Sequence, residues 1–444
     1  MLRLIFVFGI IAVGTYYAMQ GAFYALLFYL WNAYFRPEFW VWSNILFSFN
    51  LSFIIGVYLV GVTLLSFQSF VFNGRVALLM AFAGQTLLST VMSENADVSW
   101  IYFNEFAKAL LVSYLIVVLV DDVKKLRLTL AVIGLSLGFE AAKQGWVVWM
   151  LNPGAANQNP HPFLGDNNGV ALGMMMLVPV LSALAQTATK RWAKYMWGIF
   201  AVGVFMRGLS TYSRGGFLCA GVVGLFYLIR SPNRLRALLI AGLVAGAALP
   251  VMPDAFWDRM NTITAPSEER DDSAAGRIHY WAVAREMAKA KPVYGVGFNT
   301  FSRSYDAYDF SGGYWGVYRA CHSAWFGIMA EEGLPGFALL VVMLLQGYWT
   351  FFRVRRFTRQ RPEYRELRLY AGGLETSFSA YVCGATFLSA QYNEMLWHFV
   401  GVSIAMSVIL AKLAEGAEPV KVRPGFASAA PPHGARAHAS SRVS

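Results

Sequence analysis

Charged side chains are scarce in this sequence. Asp, Glu, Lys and Arg make up only 14% of its 444 residues, whereas a soluble domain carries about 25%. Hydrophobic residues account for 57%, and the mean hydropathy is +0.47. So few charges cannot cover a water-exposed surface, which excludes a soluble enzyme, a disordered protein and a fibrous repeat. The composition instead predicts a polytopic membrane protein.

Cysteines are also few. The chain has three, Cys219, Cys321 and Cys383, and an odd number without short spacings argues against a disulfide framework and against a zinc site. No period of about 20–50 residues recurs, which excludes a solenoid. The N-terminal apolar run lacks a small-residue cleavage site and is followed at once by further apolar segments. We therefore interpret it as a retained first span.

Basic residues give the chain a net charge of +11 and form short clusters between the apolar runs. The clustered loops are 121–127, 188–194, 230–236 and 353–367. Loops rich in Lys and Arg face the cytoplasm. No basic face is interleaved with base-stacking aromatics outside the membrane segments, so no nucleic-acid partner is predicted. Alternation then assigns other loops to the far side of the membrane: 93–103, 151–167, 208–213, 253–321 and 389–394.

Apolar runs long enough to cross a bilayer recur along the chain. Candidate helices lie near 2–19, 20–35, 43–66, 75–92, 104–121, 126–150, 168–187, 193–208, 214–230, 235–252, 322–352, 368–389 and 394–413. The first two are short, so they are either two spans or one broken span, and the total is 12 or 13. The predicted fold is all-α and polytopic, with about 12 spans and one long outer loop.

Composition divides the chain into four parts. Transmembrane helices are predicted over 1–252 and 322–413, and the long loop 253–321 between them contains a helix-like stretch from Gly276 to Lys291. A long ordered loop in a membrane protein is usually functional. The tail 414–444 is rich in Ala, Pro, Gly, Ser and Arg, which predicts a disordered cytoplasmic segment.

Two arginines break the charge rule on the far side. Arg207 and Arg214 bracket the very short loop 208–213. Two interpretations stay open: the side chains extend to lipid headgroups, or they form an anion site that faces the outer leaflet. Gly215 and Gly216 follow, so the backbone could also approach a ligand closely.

The long loop contributes Arg277, within its predicted helix. Trp281 lies four residues later and shares a helix face with Arg277. An amphipathic helix lying on the membrane explains the same pattern. His279 points to another face and is interpreted as structural.

His322 opens the next predicted span at the outer face, and Glu331 lies about 14 Å deeper along the helix axis. Gly333 is expected to help break or kink this helix. An ionisable residue within a span is a candidate functional residue. A histidine at a membrane boundary, however, is more often an interfacial residue without a specific function. Asp166, before the span at 168–187, is interpreted as a helix N-cap.

These stretches together resemble the bacterial O-antigen ligase family, which belongs to the larger O-antigen ligase and polymerase superfamily. The resemblance rests on STYSRGG at 210–216, GRIHYW with PVYGVGFNTF at 276–301, and HSAWFGIMAEEGLPG at 322–336. The GDNNG stretch at 165–169 is similar to the branch associated with exosortase systems. The resemblance implies a membrane glycosyltransferase architecture of the GT-C-like kind.

The resemblance also implies roles for single residues. Arg214 and Arg277 match arginines that hold a lipid diphosphate in the family, Arg207 is a third donor-binding candidate, and His322 matches the essential histidine. Ser323 stands where many relatives carry asparagine, which leaves a role for this side chain open. Supporting residues are predicted at Glu331, Glu332, Asp166, Trp281 and Tyr212. Family members act on the periplasmic side and need no metal, nucleotide or other cofactor.

The predicted function is transfer of a preassembled glycan from undecaprenyl diphosphate to the lipid A-core, within the inner membrane and with a periplasmic active site. Arginine suits a diphosphate because it is bidentate and permanently charged, and a histidine can accept the proton of an acceptor hydroxyl. The alternatives are the same chemistry on a protein hydroxyl, or glycan polymerisation. A transporter would predict inverted repeats, and a cysteine protease would need an outer cysteine within reach of a histidine.

Overall fold

The computed structural model describes residues 1–42, 44–66, 70–248, 257 and 272–417, and most of these residues are helical. The helices are α1 (Leu2–Ala18), α2 (Ala22–Phe35), α3 (Pro37–Trp40), α4 (Ile45–Ser48), α5 (Leu51–Leu65), α6 (Gly74–Val91), α7 (Ala96–Leu119), α8 (Val123–Leu151), α9 (Asn167–Thr187), α10 (Arg191–Leu209), α11 (Arg214–Arg230), α12 (Arg234–Ala248), α13 (Asp272–Ala290), α14 (Phe301–Tyr308), α15 (Ala324–Thr358), α16 (Arg365–Ala385) and α17 (Glu394–Ala417).

The predicted all-α membrane fold is confirmed. Within the described ranges the β-structure is limited to an isolated bridge between His161 and Gly165. Helices α6, α7, α9, α15 and α17 are long and apolar enough to cross a membrane, and α1, α2 and α5 are shorter apolar helices. Helices suit lipid because each satisfies its own backbone hydrogen bonds. The total of 12 or 13 spans stays a prediction, as do the four segment boundaries.

The basic loops meet at one end of the helix bundle, which we call the basic end. Arg127 at the start of α8 lies 3.3 Å from Glu366 at the start of α16, measured from Nη1 to Oε1. Arg365 donates from Nη1 to the carbonyl oxygen of Gln186, near the end of α9. Loops that are distant in the sequence therefore lie side by side, as alternating helices require.

The opposite end, which we call the loop end, carries the segments 152–166, 210–213, 291–323 and 386–393. The backbone N–H of Asn157 donates to the carbonyl of Ser210 over 2.7 Å, and the backbone N–H of Glu94 donates to the carbonyl of Val296 over 3.1 Å. The first bond joins the loop 152–166 to the short connection between α10 and α11, and the second joins the long loop to the connection between α6 and α7.

Two predicted boundaries are wrong. The stretch 93–103 is predicted as an outer loop, but α7 begins at Ala96, so only a few residues connect it to α6. An aromatic helix start without Lys or Arg has the same composition as an outer loop. The candidate span at 43–66 is also interrupted, because α5 begins only at Leu51 after the short helix α4. Residues 414–417 of the predicted tail belong to α17, and the rest of the tail lies outside the described residues.

Helix α9 lies at the centre of the bundle and is buried along most of its length. It packs against α8, α10, α11 and α16. Small residues allow close helix crossings in membranes. At the crossing of α8 and α10, a Cβ on Gly145 would lie 1.8 Å from the carbonyl oxygen of Gly203. The close crossing fixes the ends of both helices, and with them the loop end.

Helix α15 is broken at Gly333, which has φ +70° and ψ −173°. The segment that follows α13 docks into the break. There the N–H of Leu334 donates to the carbonyl of Pro292, and the N–H of Val296 donates to the carbonyl of Ala330, each over 2.9 Å. The predicted helix break is thus confirmed, and it anchors the long loop to a membrane helix.

Replacing Gly333 with alanine should destabilise the protein. A Cβ would lie 2.6 Å from the carbonyl oxygen of Pro292 and would sit on a backbone with positive φ. We expect a loss of about 2–4 kcal/mol of unfolding free energy, measured by thermal unfolding in detergent. The control is Gly84→Ala in α6, where no atom lies within 4 Å of the new Cβ. Equal unfolding temperatures for both variants would contradict the docking role of Gly333.

Candidate functional site

His322 lies at the loop end, two residues before α15 rather than within it as predicted. Its backbone adopts φ +52°, in the left-handed region that non-glycine residues rarely occupy. Its backbone N–H donates to the hydroxyl oxygen of Ser389 over 2.9 Å, so the connection between α16 and α17 holds this conformation. Strained backbone of this kind concentrates at functional sites.

The imidazole of His322 is half-buried and lies among charged groups. Its ring centroid is 6.2 Å from that of Tyr280 on α13. Burial lowers the pKa of His322, and repulsion from Arg277 and Arg319 lowers it further, while Asp166 opposes the shift. A histidine with a lowered pKa is neutral at pH 7, so its ring can accept a proton.

Helix α13 carries Arg277 close to this histidine, and its buried face explains how. Tyr280 and Met287 belong to a small apolar core between α13, α14 and α15. The indole of Trp281 stacks on Phe326 of α15, with centroids 5.4 Å apart and planes 14° apart. The predicted helix over 276–291 is therefore confirmed as α13, and it packs on α15 rather than lying alone on the membrane surface. Trp281 supports the site through this packing.

The N-termini of α9 and α11 lie side by side at the loop end. Asp166 caps α9 by accepting from the N–H of Gly169 over 2.8 Å, so its predicted N-cap role is confirmed. Ser213 caps α11 by accepting from the N–H of Gly216, and its hydroxyl also donates to Asn168 over 2.8 Å. Arg214 is the first residue of α11. Paired helix N-termini with an adjacent arginine favour an anion.

Gly216 has a different use from the predicted ligand approach. A Cβ at this position would lie 2.7 Å from the Cβ of Ala171 on α9. The missing side chain lets α11 pack directly against α9, which brings the two helix N-termini together.

Arg207 is buried, and its guanidinium holds the loop 152–166. Nε donates to Oε1 of Gln144 over 2.9 Å, and the two terminal nitrogens donate to the carbonyls of Asn157 and Asn159 over 2.8 and 2.9 Å. Tyr212 donates its hydroxyl to the carbonyl of Gly154 in the same loop. Both side chains therefore position the loop that leads into Asp166.

Glu331 and Glu332 are buried in α15, and their carboxylates contact segments of the loop end and of α6. Oε1 of Glu331 accepts from the backbone N–H of Phe301 over 3.0 Å, and Oε2 accepts from Nε2 of Gln391 over 2.9 Å. The hydroxyl of Thr86 lies 3.4 Å from the carboxylate of Glu332. These contacts tie the start of α14 and the α16–α17 connection to α15.

Cys321 precedes His322 but is poorly suited to be a nucleophile. Burial raises the pKa of the Cys321 thiol, and the Glu331 carboxylate raises it further. The reactive thiolate is therefore disfavoured. No group of three or more His, Cys, Asp or Glu residues within the described ranges is arranged to hold a metal ion. The metal-independent mechanism stays a prediction.

Residues at this site that sequence reasoning missed are Arg319, Tyr280 and Ser389. Arg319 stands three residues before His322, so proximity along the chain could have indicated it. Tyr280 stands one helical turn after Arg277, so the spacing in the sequence could also have indicated it. Ser389 is 67 residues from His322 and carries no local signal.

Comparison with known families supports the predicted resemblance. Residues 205–341 match the family model described as O-antigen ligase, a segment that includes Arg207, Arg214, Arg277 and His322. No curated protein matches the chain. The branch associated with exosortase systems stays a prediction. Residues 205–341 are therefore similar to the O-antigen ligase family, and this similarity indicates a glycosyltransferase-like membrane enzyme that acts in lipopolysaccharide-type glycan biosynthesis.

Proposed function

We propose that this protein transfers a preassembled glycan from undecaprenyl diphosphate to a hydroxyl of the lipid A-core. The observation that carries the proposal is that α13, which bears Arg277, packs beside the half-buried His322, with the ring centroids of Tyr280 and His322 6.2 Å apart. The charge of Arg277 also lowers the pKa of His322. A neutral base beside a permanent cation suits a reaction in which one partner loses a proton and the other gains negative charge.

The chemistry follows from these two groups. The acceptor hydroxyl attacks the anomeric carbon of the donor glycan, and its proton passes to the imidazole of His322. The bond between the anomeric carbon and the diphosphate oxygen breaks, and the diphosphate leaves with its electron pair. Arg277 and Arg214 stabilise the added negative charge, since guanidinium forms two parallel hydrogen bonds to phosphate oxygens. Asp166 limits how far the arginines lower the pKa of His322.

Transfer with the purified protein in lipid nanodiscs tests the function. Undecaprenyl diphosphate-linked glycan is supplied with lipid A-core, with a hydroxyl-bearing protein, or with a second lipid-linked glycan. We expect a product with lipid A-core. Product only with the protein would identify an O-oligosaccharyltransferase, and product only between glycans would identify a polymerase. Movement of intact donor across the bilayer without any product would indicate a transporter.

The loop end is expected to face the periplasm, with α17 ending on the cytoplasmic side of the inner membrane. The Lys and Arg clusters at the basic end support this orientation. In a Cys383→Ser background, Val317→Cys at the loop end should react with an impermeant maleimide on intact spheroplasts. Gln360→Cys at the basic end should react only after permeabilisation. The reverse pattern would contradict the orientation and every assignment that depends on it.

A further inference from the structure

The segment Phe310–Arg319, which we call the aromatic loop, exposes large apolar side chains next to His322. Phe310, Tyr314, Val317 and Tyr318 are 63%, 77%, 62% and 60% exposed. Clustered exposed apolar side chains mark interaction surfaces. The last member of this cluster, Tyr318, lies a few residues before the proposed base in the sequence.

Hydrogen bonds hold the backbone of the aromatic loop even though its rings are exposed. Asp309 accepts from the backbone N–H groups of Ser311 and Gly313 over 3.0 and 2.9 Å. It also lies 2.7 Å from Nε2 of His279 on α13, and both side chains are nearly buried. Further along, Asp306 accepts from the N–H of Tyr318 over 3.0 Å. The backbone therefore fixes the outward direction of the rings.

The inner side of the loop packs on α13 through Trp315. The Trp315 ring lies 6.0 Å from that of His279, with planes 27° apart. Gly276 makes room for the Tyr280 hydroxyl, because a Cβ there would lie 2.9 Å from that oxygen, and the hydroxyl donates to the carbonyl of Trp315. Trp315 is thus used for packing, whereas Tyr314 and Tyr318 face outward. Trp315 therefore anchors the loop, and the two tyrosines form its outer surface.

Two exposed arginines accompany the tyrosines. Arg319 donates from Nε to the carbonyl of Trp315 over 2.6 Å, which aligns its guanidinium along the loop. The guanidinium carbon of Arg303 lies 5.8 Å from the Tyr318 ring centroid. Flat rings carrying hydroxyl groups suit the faces of sugar rings, and guanidinium suits a phosphate or carboxylate on them.

We propose that the aromatic loop binds the saccharide part of the acceptor, with Tyr314 and Tyr318 against sugar rings and Arg319 on an acidic group of that saccharide. The inference rests on the proposed function. We assign the loop to the acceptor rather than to the donor glycan because the acceptor hydroxyl must reach His322, three residues after Arg319. Arg214, proposed for the donor, lies instead at the N-terminus of α11.

The test is steady-state kinetics of the full chain in nanodiscs. A Tyr314→Ala/Tyr318→Ala double variant should raise the KM for lipid A-core roughly tenfold or more, because two ring contacts are lost. The kcat and the KM for donor should stay near their original values. The matched control is Tyr195→Ala, which removes a tyrosine that is 68% exposed in α10 near the basic end. This control should leave all three constants unchanged.

A rise in donor KM with an unchanged acceptor KM would overturn the proposal and assign the loop to the donor glycan. No change in either constant would also overturn it and leave the rings as a membrane contact. For the acidic group, Arg319→Ala should weaken use of phosphorylated core more strongly than use of dephosphorylated core. An equal effect on both acceptors would remove that part of the proposal.

Direct binding separates this inference from the proposed function. His322→Ala protein in nanodiscs is titrated with lipid A-core, with and without the two tyrosine substitutions. Binding that weakens roughly tenfold or more with the substitutions supports the acceptor surface even if no transfer occurs. Unchanged binding overturns the acceptor surface whether or not the wild-type protein transfers glycan.

Discussion

Replacing His322 with alanine is expected to lower the rate of glycan transfer by roughly 10²–10⁴-fold, the usual contribution of general-base catalysis. Burial and the Arg277 charge lower the pKa of this histidine, so the ring is neutral at pH 7 and can take the acceptor proton. Alanine leaves the hydroxyl without a base. The measurement is the single-turnover rate with donor and acceptor both saturating.

Donor binding should survive this change, because Arg214 and Arg277 remain. His161→Ala is a suitable control: His161 is also a loop-end histidine, but its Nδ1 accepts from the N–H of Phe163 within the loop. We expect it to retain most of the rate. A fully active His322→Ala protein would exclude His322 as the base.

The pH profile separates the two chemical roles of His322. As a base, the ring must be neutral, so kcat should rise with pH through an apparent pKa below about 6.5 and then level off. Asp166 raises the pKa of His322, so Asp166→Asn should move this limb to lower pH while asparagine still caps α9. If His322 instead donated to the phosphate as imidazolium, activity would fall over the same pH range.

Replacing Arg277 with alanine is expected to lower kcat by roughly 10²–10³-fold, the usual loss when one donor to developing negative charge is removed. Arg277→Lys should also lose most of the activity, because an ammonium cannot form two parallel bonds to phosphate oxygens. Arg214→Ala should also lower kcat. Transfer rate and affinity for the lipid diphosphate are measured together.

Arg285 offers a matched control for Arg277. It is an exposed residue on the same helix, about two turns after Arg277. Arg285→Ala should keep its rate and its donor affinity. If Arg277→Ala left both quantities unchanged, the assignment of Arg277 to the diphosphate would fail.

Hydropathy and charge along the chain were sufficient to predict most helices of this protein. The helix from 276 to 291 and the span from 168 to 187 correspond to α13 and α9, with boundaries that differ by a few residues. Apolar runs must form helices in lipid, and Lys and Arg clusters end them. The start of α7 at Ala96 was not predictable in this way, because an outer helix turn and an outer loop have the same composition.

Motif spacing also indicated the central site residues. Arg277 and His322 were singled out by the resemblance to the O-antigen ligase family, and their residue types suit a diphosphate donor and a hydroxyl acceptor. The helix α13, which carries Arg277, is placed beside His322 because the long loop docks at Gly333. The sequence predicted the helix break at Gly333 but not this docking. Sequence spacing cannot measure a distance between two helices.

The uses of Arg207, Gly216 and Ser389 were decided only by the tertiary structure. Arg207 was the weaker third candidate for the donor, and its three hydrogen bonds hold the loop 152–166. Gly215 and Gly216 were interpreted as permitting close approach of a ligand, and Gly216 permits close packing of α11 against α9. In each case the partner lies on a different helix or loop, and a buried arginine or a glycine takes whatever contact the packing brings to it. The sequence determined which residues could do the chemistry, and the packing of distant segments decided which of them stand at the site.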